Sequence, residues 1–431
     1  MDFVLKTDPI LRESIYEITH DSGLRIIVSE KDTPTSFANI TFGFGSADEV
    51  YEKEGREYRI PAGTAHFLEH SMFALPDGRD AFALFDSKGG NPNAFTDVDN
   101  TSYHFSCSEN FYDNLELLLE LVTKPHFNEK TVAKEKPIIT EEISMYDDSP
   151  DYRGWQALMN GMYKNHPVAR SVAGSAESVA SITPEILFAA HRDFYIPSNA
   201  VLGVCGSVDR HRVLEIADRA FSGYSYSVRP TTAPEPEQSG IVIPRAVSYG
   251  SIATPLFFAG CKCPSMEKNP DSVKKAVALK YAVSLLFGRS SDFYCKNYEK
   301  GLINERFSAG TEIYGGACSM VVAGSSPEPD RVYGLMLEEI EYRKKNFFSP
   351  ESFEREKKVA YVSAVSGFDS PEDIVYSCIG DALYGISGFD YIYMLRNITS
   401  EQVHSALCSM IDTKKTALSV VFDYSSKGEH Q

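Results

Sequence analysis

Two periodicities alternate along the chain, and each predicts its own kind of element. Short runs rich in β-branched and aromatic residues, bounded by turn formers, predict strands at residues 24–29 (LRIIVS) and 38–44 (ANITFGF). Residues 63–73 (GTAHFLEHSMF) have the length and side chains of a helix. Gly89, Gly90 and Pro92 then punctuate the entry to 89–108, whose second part reads as a strand. Leucines at helical spacing predict a helix over 109–123, and 128–147 predicts another. Pro137 interrupts that second pattern, so a kink or restart is expected near Lys136, with 138–145 helical. A buried-type strand is expected over 198–209, with a helix after it.

Periodicity fades over 224–240 (YSYSVRPTTAPEPEQSG), where Pro230, Pro234 and Pro236 predict a semi-rigid exposed linker. Beyond it the pattern repeats. FNEKTVAKEKPIITEE from Phe127 is echoed by FSPESFEREKKVAYVS from Phe348, and SITPEIL at Ser181 by NITSEQV at Asn397. One domain type therefore occurs twice, as an N-terminal domain over 1–224 and a C-terminal one over 241–431, joined by a linker over 225–240. In this alignment Glu135 pairs with Glu356, but Glu142 pairs with Ser363, and no histidine occurs between His211 and His404. The second copy lacks the residues for metal chemistry.

Length and composition agree with two globular domains: 431 residues, 43% apolar and 24% charged. The 42 basic and 60 acidic residues give a net charge of -18, which repels phosphate backbones and anionic lipid, so neither nucleic acid nor a membrane surface is an expected partner. No run of about 18 apolar residues appears, and the N-terminal segment has no signal-peptide or transit-peptide pattern, so a soluble, cytoplasmic protein is expected. Eight cysteines scattered without a framework read as buried free thiols in a reducing compartment, and Cys261 with Cys263 makes only a CxC.

The chemistry concentrates in 63–73. His66 and His70 stand four residues apart, so a helix stacks both imidazoles on one face, with Glu69 projecting near it. Two neutral imidazoles and an adjacent carboxylate are the residue set for a zinc ion and a general base. Glu135, Glu141 and Glu142 are the carboxylates available downstream. Asn93 and Thr96 are polar groups free to face solvent or a ligand. No nucleophile elbow is present, and GFGSAD at Gly43 fails as a dinucleotide loop.

The order HFLEH, GGNPNAFT, EKPIITEEI, YKNHPVARSVAG and FYIPSNAVLGVCG, followed by a degenerate second copy, resembles the pitrilysin/insulinase family of zinc peptidases, the inverzincins. The likeness spans nearly the whole chain and is strongest to short bacterial members related to mitochondrial processing peptidase. It implies an α+β fold of two homologous domains, each a mostly antiparallel sheet with helices packed on one side, together forming a clamshell. It also implies one Zn2+ per chain held by His66, His70 and Glu142, with Glu69 as general base and Glu135 as a supporting partner. Glu141, one residue from Glu142, is turned by about 100° on a helix, so both cannot face one ion. Asn93, Ala94, Phe95 and Thr96 match the family's edge strand, where an extended substrate pairs by β-augmentation. The expected function is a zinc endopeptidase acting on peptides or unfolded segments, with a non-catalytic scaffold or assembly subunit as the alternative. One departure stands out: Asn297 and Asn304 occupy the positions, around Gly301-Leu302, where active members carry a substrate-holding Arg and Tyr. The resemblance then implies a partner, either a metal-free homologous subunit supplying that pair or a second copy in a homodimer.

Overall fold

The structure, a computed structural model, describes residues 2–427 except Asp77, Pro234 and Ser387. Pro234, one of the three linker prolines, thus lies outside the described residues. The strands are β1 (Val4–Asp8), β2 (Glu13–Thr19), β3 (Arg25–Glu30), β4 (Ser36–Phe42), β5 (Val50–Lys53), β6 (Arg56–Arg59), β7 (Gly90–Thr96), β8 (Thr101–Cys107), β9 (Ala200–Gly206), β10 (Thr231–Thr232), β11 (Arg245–Gly250), β12 (Leu256–Lys262), β13 (Ser308–Tyr314), β14 (Ala317–Ser325) and β15 (Thr416–Asp423). The helices are α1 (Thr64–Met72), α2 (Ala81–Ser87), α3 (Phe111–Thr123), α4 (Glu129–Asp148), α5 (Pro150–Met162), α6 (Ala176–Ser181), α7 (Pro184–Phe194), α8 (Arg210–Ala220), α9 (Pro270–Phe287), α10 (Asp292–Glu299), α11 (Pro329–Lys345), α12 (Pro350–Ser366), α13 (Pro371–Leu383), α14 (Asp390–Asn397) and α15 (Ser400–Met410).

These elements form two compact α+β units. The first comprises Met1–Ile143, Val172–Pro234 and Ser363–Ile392; the second comprises Ser144–Ser171, Glu235–Val362 and Tyr393–Gln431. The passage at Pro234–Glu235 falls inside the Pro-containing segment 225–240. A division of the chain there leaves out two exchanged pieces: α5 belongs to the second unit and α13 to the first. Helical periodicity shows that a helix has an apolar face but not which sheet receives it, so the sequence carried no sign of this exchange.

In the first unit the strands run β1-β2-β3-β9-β4-β8-β7, with every neighbouring pair antiparallel except β3 and β9. Side chains alternate along a strand, so each strand addresses two faces. On one face Leu202, Val204, Ile40, Phe42, Tyr103 and Phe105 join Leu115, Leu118, Leu187, Phe194 and Ile216 of α3, α7 and α8 in one core. Gly203 faces the other way, where α13 packs so closely that a Cβ there would come within 2.8 Å of Val375. Tyr376 of α13 bonds its hydroxyl to His104 Nδ1 at 3.1 Å, and Arg25 donates to Ala382 O.

The second unit repeats the plan with five strands, β11-β15-β12-β14-β13, again antiparallel except for one pair, β11 and β15. Here α5 is the exchanged helix. Gly154 on α5 sits where a Cβ would meet the Phe258 ring at 2.3 Å, and Gly260 on β12 makes room for Met162.

Of the two alternatives expected at Pro137, the restart is excluded: α4 runs unbroken from Glu129 to Asp148, with 138–145 helical as expected. The proline removes one helical hydrogen bond, a cost of roughly 3 kcal/mol in an interior turn. The helix has long flanks on both sides and buries Val132, Ile139 and Ile143, which offset that loss. No helix among the described residues is long and apolar enough to cross a membrane. The eight cysteines are free, and all but Cys295 and Cys408 are buried.

Candidate metal centre

α1 opens at Gly63, whose φ of +83° is the left-handed conformation a side chain disfavours. A Cβ there would also lie 2.3 Å from Ala173 O. The glycine thus lets the chain turn sharply into the helix while touching the loop before α6. Ala65, Phe67, Leu68 and Met72 point into the core and fix the helix's rotation. That rotation leaves His66, Glu69 and His70 toward α4, with His66 and Glu69 nearly buried. The two imidazole centroids lie 4.6 Å apart.

α4 brings the carboxylates. Glu142 Oε2 lies 3.6 Å from His66 Nε2 and 3.5 Å from His70 Nε2, and one ligand atom from each of the three residues falls within 4.8 Å of the others. Among the described residues this is the one cluster of His, Cys, Asp or Glu so arranged. The separations are too long for good hydrogen bonds. They are the right length for the edges of a tetrahedron with metal bonds near 2.0–2.2 Å, which are about 3.3–3.6 Å. The donor set therefore fits a zinc ion. Glu141 is exposed, as one residue's turn of the helix requires. Glu135, two turns earlier, places Oε2 3.8 Å from His70 Nδ1, an ion-pair separation.

Electrostatics prepare the histidines differently. Burial pulls His66 down to about 4, reinforced by His70 and opposed by Glu142, so its ring is neutral at ordinary pH, the form a metal needs. His66 Nδ1 is buried without a hydrogen-bond partner. Burial also pulls on His70, but Glu135, Glu69 and Glu142 outweigh it and the net shift is upward. Burial raises Glu69, against the opposing Thr96 hydroxyl and His70, toward the range useful for accepting a proton.

β7 is the last strand of its sheet, paired only with β8. Its alternation separates the four expected substrate residues into two pairs. Asn93 turns its Oδ1 onto Ala94 N at 2.9 Å, and Phe95, partly exposed, lies over His104 and Tyr376 with centroids 6.4 and 6.0 Å away. On the opposite face Ala94 packs against the core, and Thr96 donates its hydroxyl to Glu69 Oε2 at 2.8 Å. This last contact was not anticipated from the sequence. The period of two along NAFT sends Thr96 to the face opposite Asn93 and Phe95, but only the packing of α1 brings Glu69 to it.

Asn297 and Asn304 are engaged within their own unit. Asn297 is buried and donates to Phe293 O at 2.8 Å, and Asn304 donates to Ser325 Oγ at 2.7 Å. At Glu135's counterpart, Glu356 accepts from Ser284 Oγ at 2.6 Å.

Residues 25–176 match the family model described as Insulinase (Peptidase family M16), and 181–359 match the one described as Peptidase M16 inactive domain. Over 407 residues the chain is 33% identical to the uncharacterized zinc protease YmfH of Bacillus subtilis, covering 92% of this chain and 94% of that one. An M16-like peptidase from Alicyclobacillus acidocaldarius superposes with a TM-score of 0.91 at 26% identity, over 98% of this chain and 99% of the other. A protease from Helicobacter pylori shares the fold, with a TM-score of 0.81 at 19% identity over 94% and 99% of the two chains. The chain belongs to peptidase family M16, the insulinase family.

Proposed function

We propose that this protein is a zinc-dependent endopeptidase acting on peptides or unfolded segments. The observation that carries the reading is the convergence of His66, His70 and Glu142 within 4.8 Å, beside Glu69. In this reading those three side chains hold one Zn2+, which when bound supplies Lewis acidity toward a peptide carbonyl and a lowered pKa for a water. Glu69 would accept a proton from the attacking water at its carboxylate and return it to the leaving amine. Glu135 holds His70 from its Nδ1 side. The free edge of β7 offers backbone groups to an extended substrate, with Phe95 beside the strand to receive an apolar side chain.

The inward bonding of Asn297 and Asn304 favours a completion of this reading in which another chain grips the substrate. That chain is either a metal-free homologue carrying an Arg and a Tyr or a second copy. A cytoplasmic site of action accompanies the proposal, on the reducing compartment that free thiols suit.

The test is zinc stoichiometry together with a peptide-library digest, on wild type and Glu69→Gln. One zinc per chain in both, with cleavage in the wild type alone, is expected. Full activity of Glu69→Gln, or a stoichiometric zinc protein that cleaves nothing with or without a homologous partner, rejects catalysis in favour of an assembly role.

A further inference from the structure

Glu69 is nearly buried, and a buried carboxylate that must take a proton from a water has two needs. One oxygen has to stay open, and the other has to be held so that the group does not rotate out of line. Thr96 Oγ1 meets Glu69 Oε2 at 2.8 Å, and since a carboxylate only accepts, the threonine is the donor. Behind it, Thr101 Oγ1 lies 3.5 Å from Thr96 Oγ1 and donates to Phe44 O at 2.8 Å. The Tyr195 hydroxyl adjoins Thr101 and meets that of Tyr103 at 2.8 Å, with both tyrosines wholly enclosed. Tyr103, Tyr195 and Thr101 thus form a chain of hydroxyls that ends on the Phe44 carbonyl, and Thr96 stands beside that chain and spends its one hydrogen on Glu69.

We propose that Thr96 is a positioning residue for Glu69, fixing Oε2 through its hydroxyl so that Oε1 faces the attacking water, rather than a residue that grips substrate. The proposal rests on the endopeptidase reading, in which Glu69 is the base.

Two measurements on the full chain test it. In steady-state cleavage of a library-selected peptide, Thr96→Val lowers kcat roughly 10- to 100-fold with KM and zinc content unchanged, and Thr96→Ser recovers most of the loss. A rise in KM at constant kcat, or no effect on either, overturns the proposal while leaving the endopeptidase reading intact. The second measurement needs no catalysis. In metal-free protein, Thr96→Val lowers the unfolding midpoint, and the shift disappears when the same substitution is made in a Glu69→Ala background, because the bond it removes is already gone. Equal shifts in both backgrounds overturn the proposal, and they do so even if the wild type cleaves nothing, which by itself counts only against the endopeptidase reading.

Discussion

Glu135 Oε2 lies 3.8 Å from His70 Nδ1, across the imidazole ring from the Nε2 that faces Glu142 at 3.5 Å. One histidine is thus flanked by two carboxylates of a single helix, one per ring nitrogen. Glu135→Gln keeps the shape and removes the charge, and is expected to weaken zinc affinity roughly 10- to 100-fold. Competition against a chromophoric chelator measures this, and circular dichroism verifies that α4 is unchanged.

Glu142 is the proposed ligand, and its neighbour Glu141 is exposed. Glu142→Gln is expected to lose more affinity than the roughly 10- to 100-fold typical of a supporting residue, and Glu141→Gln to lose none. Equal losses in the two variants, read by metal analysis after dialysis, contradict the ligand assignment.

Gly63→Ala tests the entry to α1. The substitution combines a left-handed backbone with a Cβ 2.3 Å from Ala173 O, and is expected to cost about 2–4 kcal/mol of unfolding free energy. Because α1 carries both histidines, the same variant binds zinc more weakly. Denaturant titration and metal competition read the two effects separately.

A pH prediction comes from α13, away from the metal centre. Burial, with Asp390 and Glu17 nearby and Arg25 only partly opposing, pushes Asp381 up to about 7. Below about pH 4 this carboxyl is neutral in both folded and unfolded chains, and its contribution to stability is fully present. As pH rises from about 4 to 7 the unfolded chain releases the proton first, so stability falls, and above 7 the deficit is constant. The side chain is half-buried, so water screens the charged form and the expected loss is roughly 1–2 kcal/mol. Asp381→Asn, which mimics the neutral form, is expected to be the more stable protein at pH 8 and to match wild type at pH 4. Thermal melts across that range decide it.

What the sequence reveals here is local. His66 and His70 share a helix face because of their spacing alone, and the alternation over 101–107 yields β8 without reference to anything distant. The repeat was visible because Phe127 and Phe348 begin similar helices, α4 and α12. Pro137 left a restart open because a proline's cost is local while its compensation, the burial of Val132, Ile139 and Ile143, is tertiary. Thr96 was legible as part of an edge strand but not as a partner of Glu69, since that contact depends on the rotation of α1 against β7.

The exchange of α5 and α13 sets the order in which the protein is able to form during synthesis. A nascent chain ending at residue 240 has every strand of the seven-stranded sheet and all three metal-site side chains, yet the Gly203 face of β9 is bare until residues 371–383 leave the ribosome. At about 5–20 residues per second that is a wait of roughly 7–29 s with this sheet face uncovered. The seven-stranded sheet, complete in its strands by residue 206, therefore receives its last covering helix only when translation is nearly over.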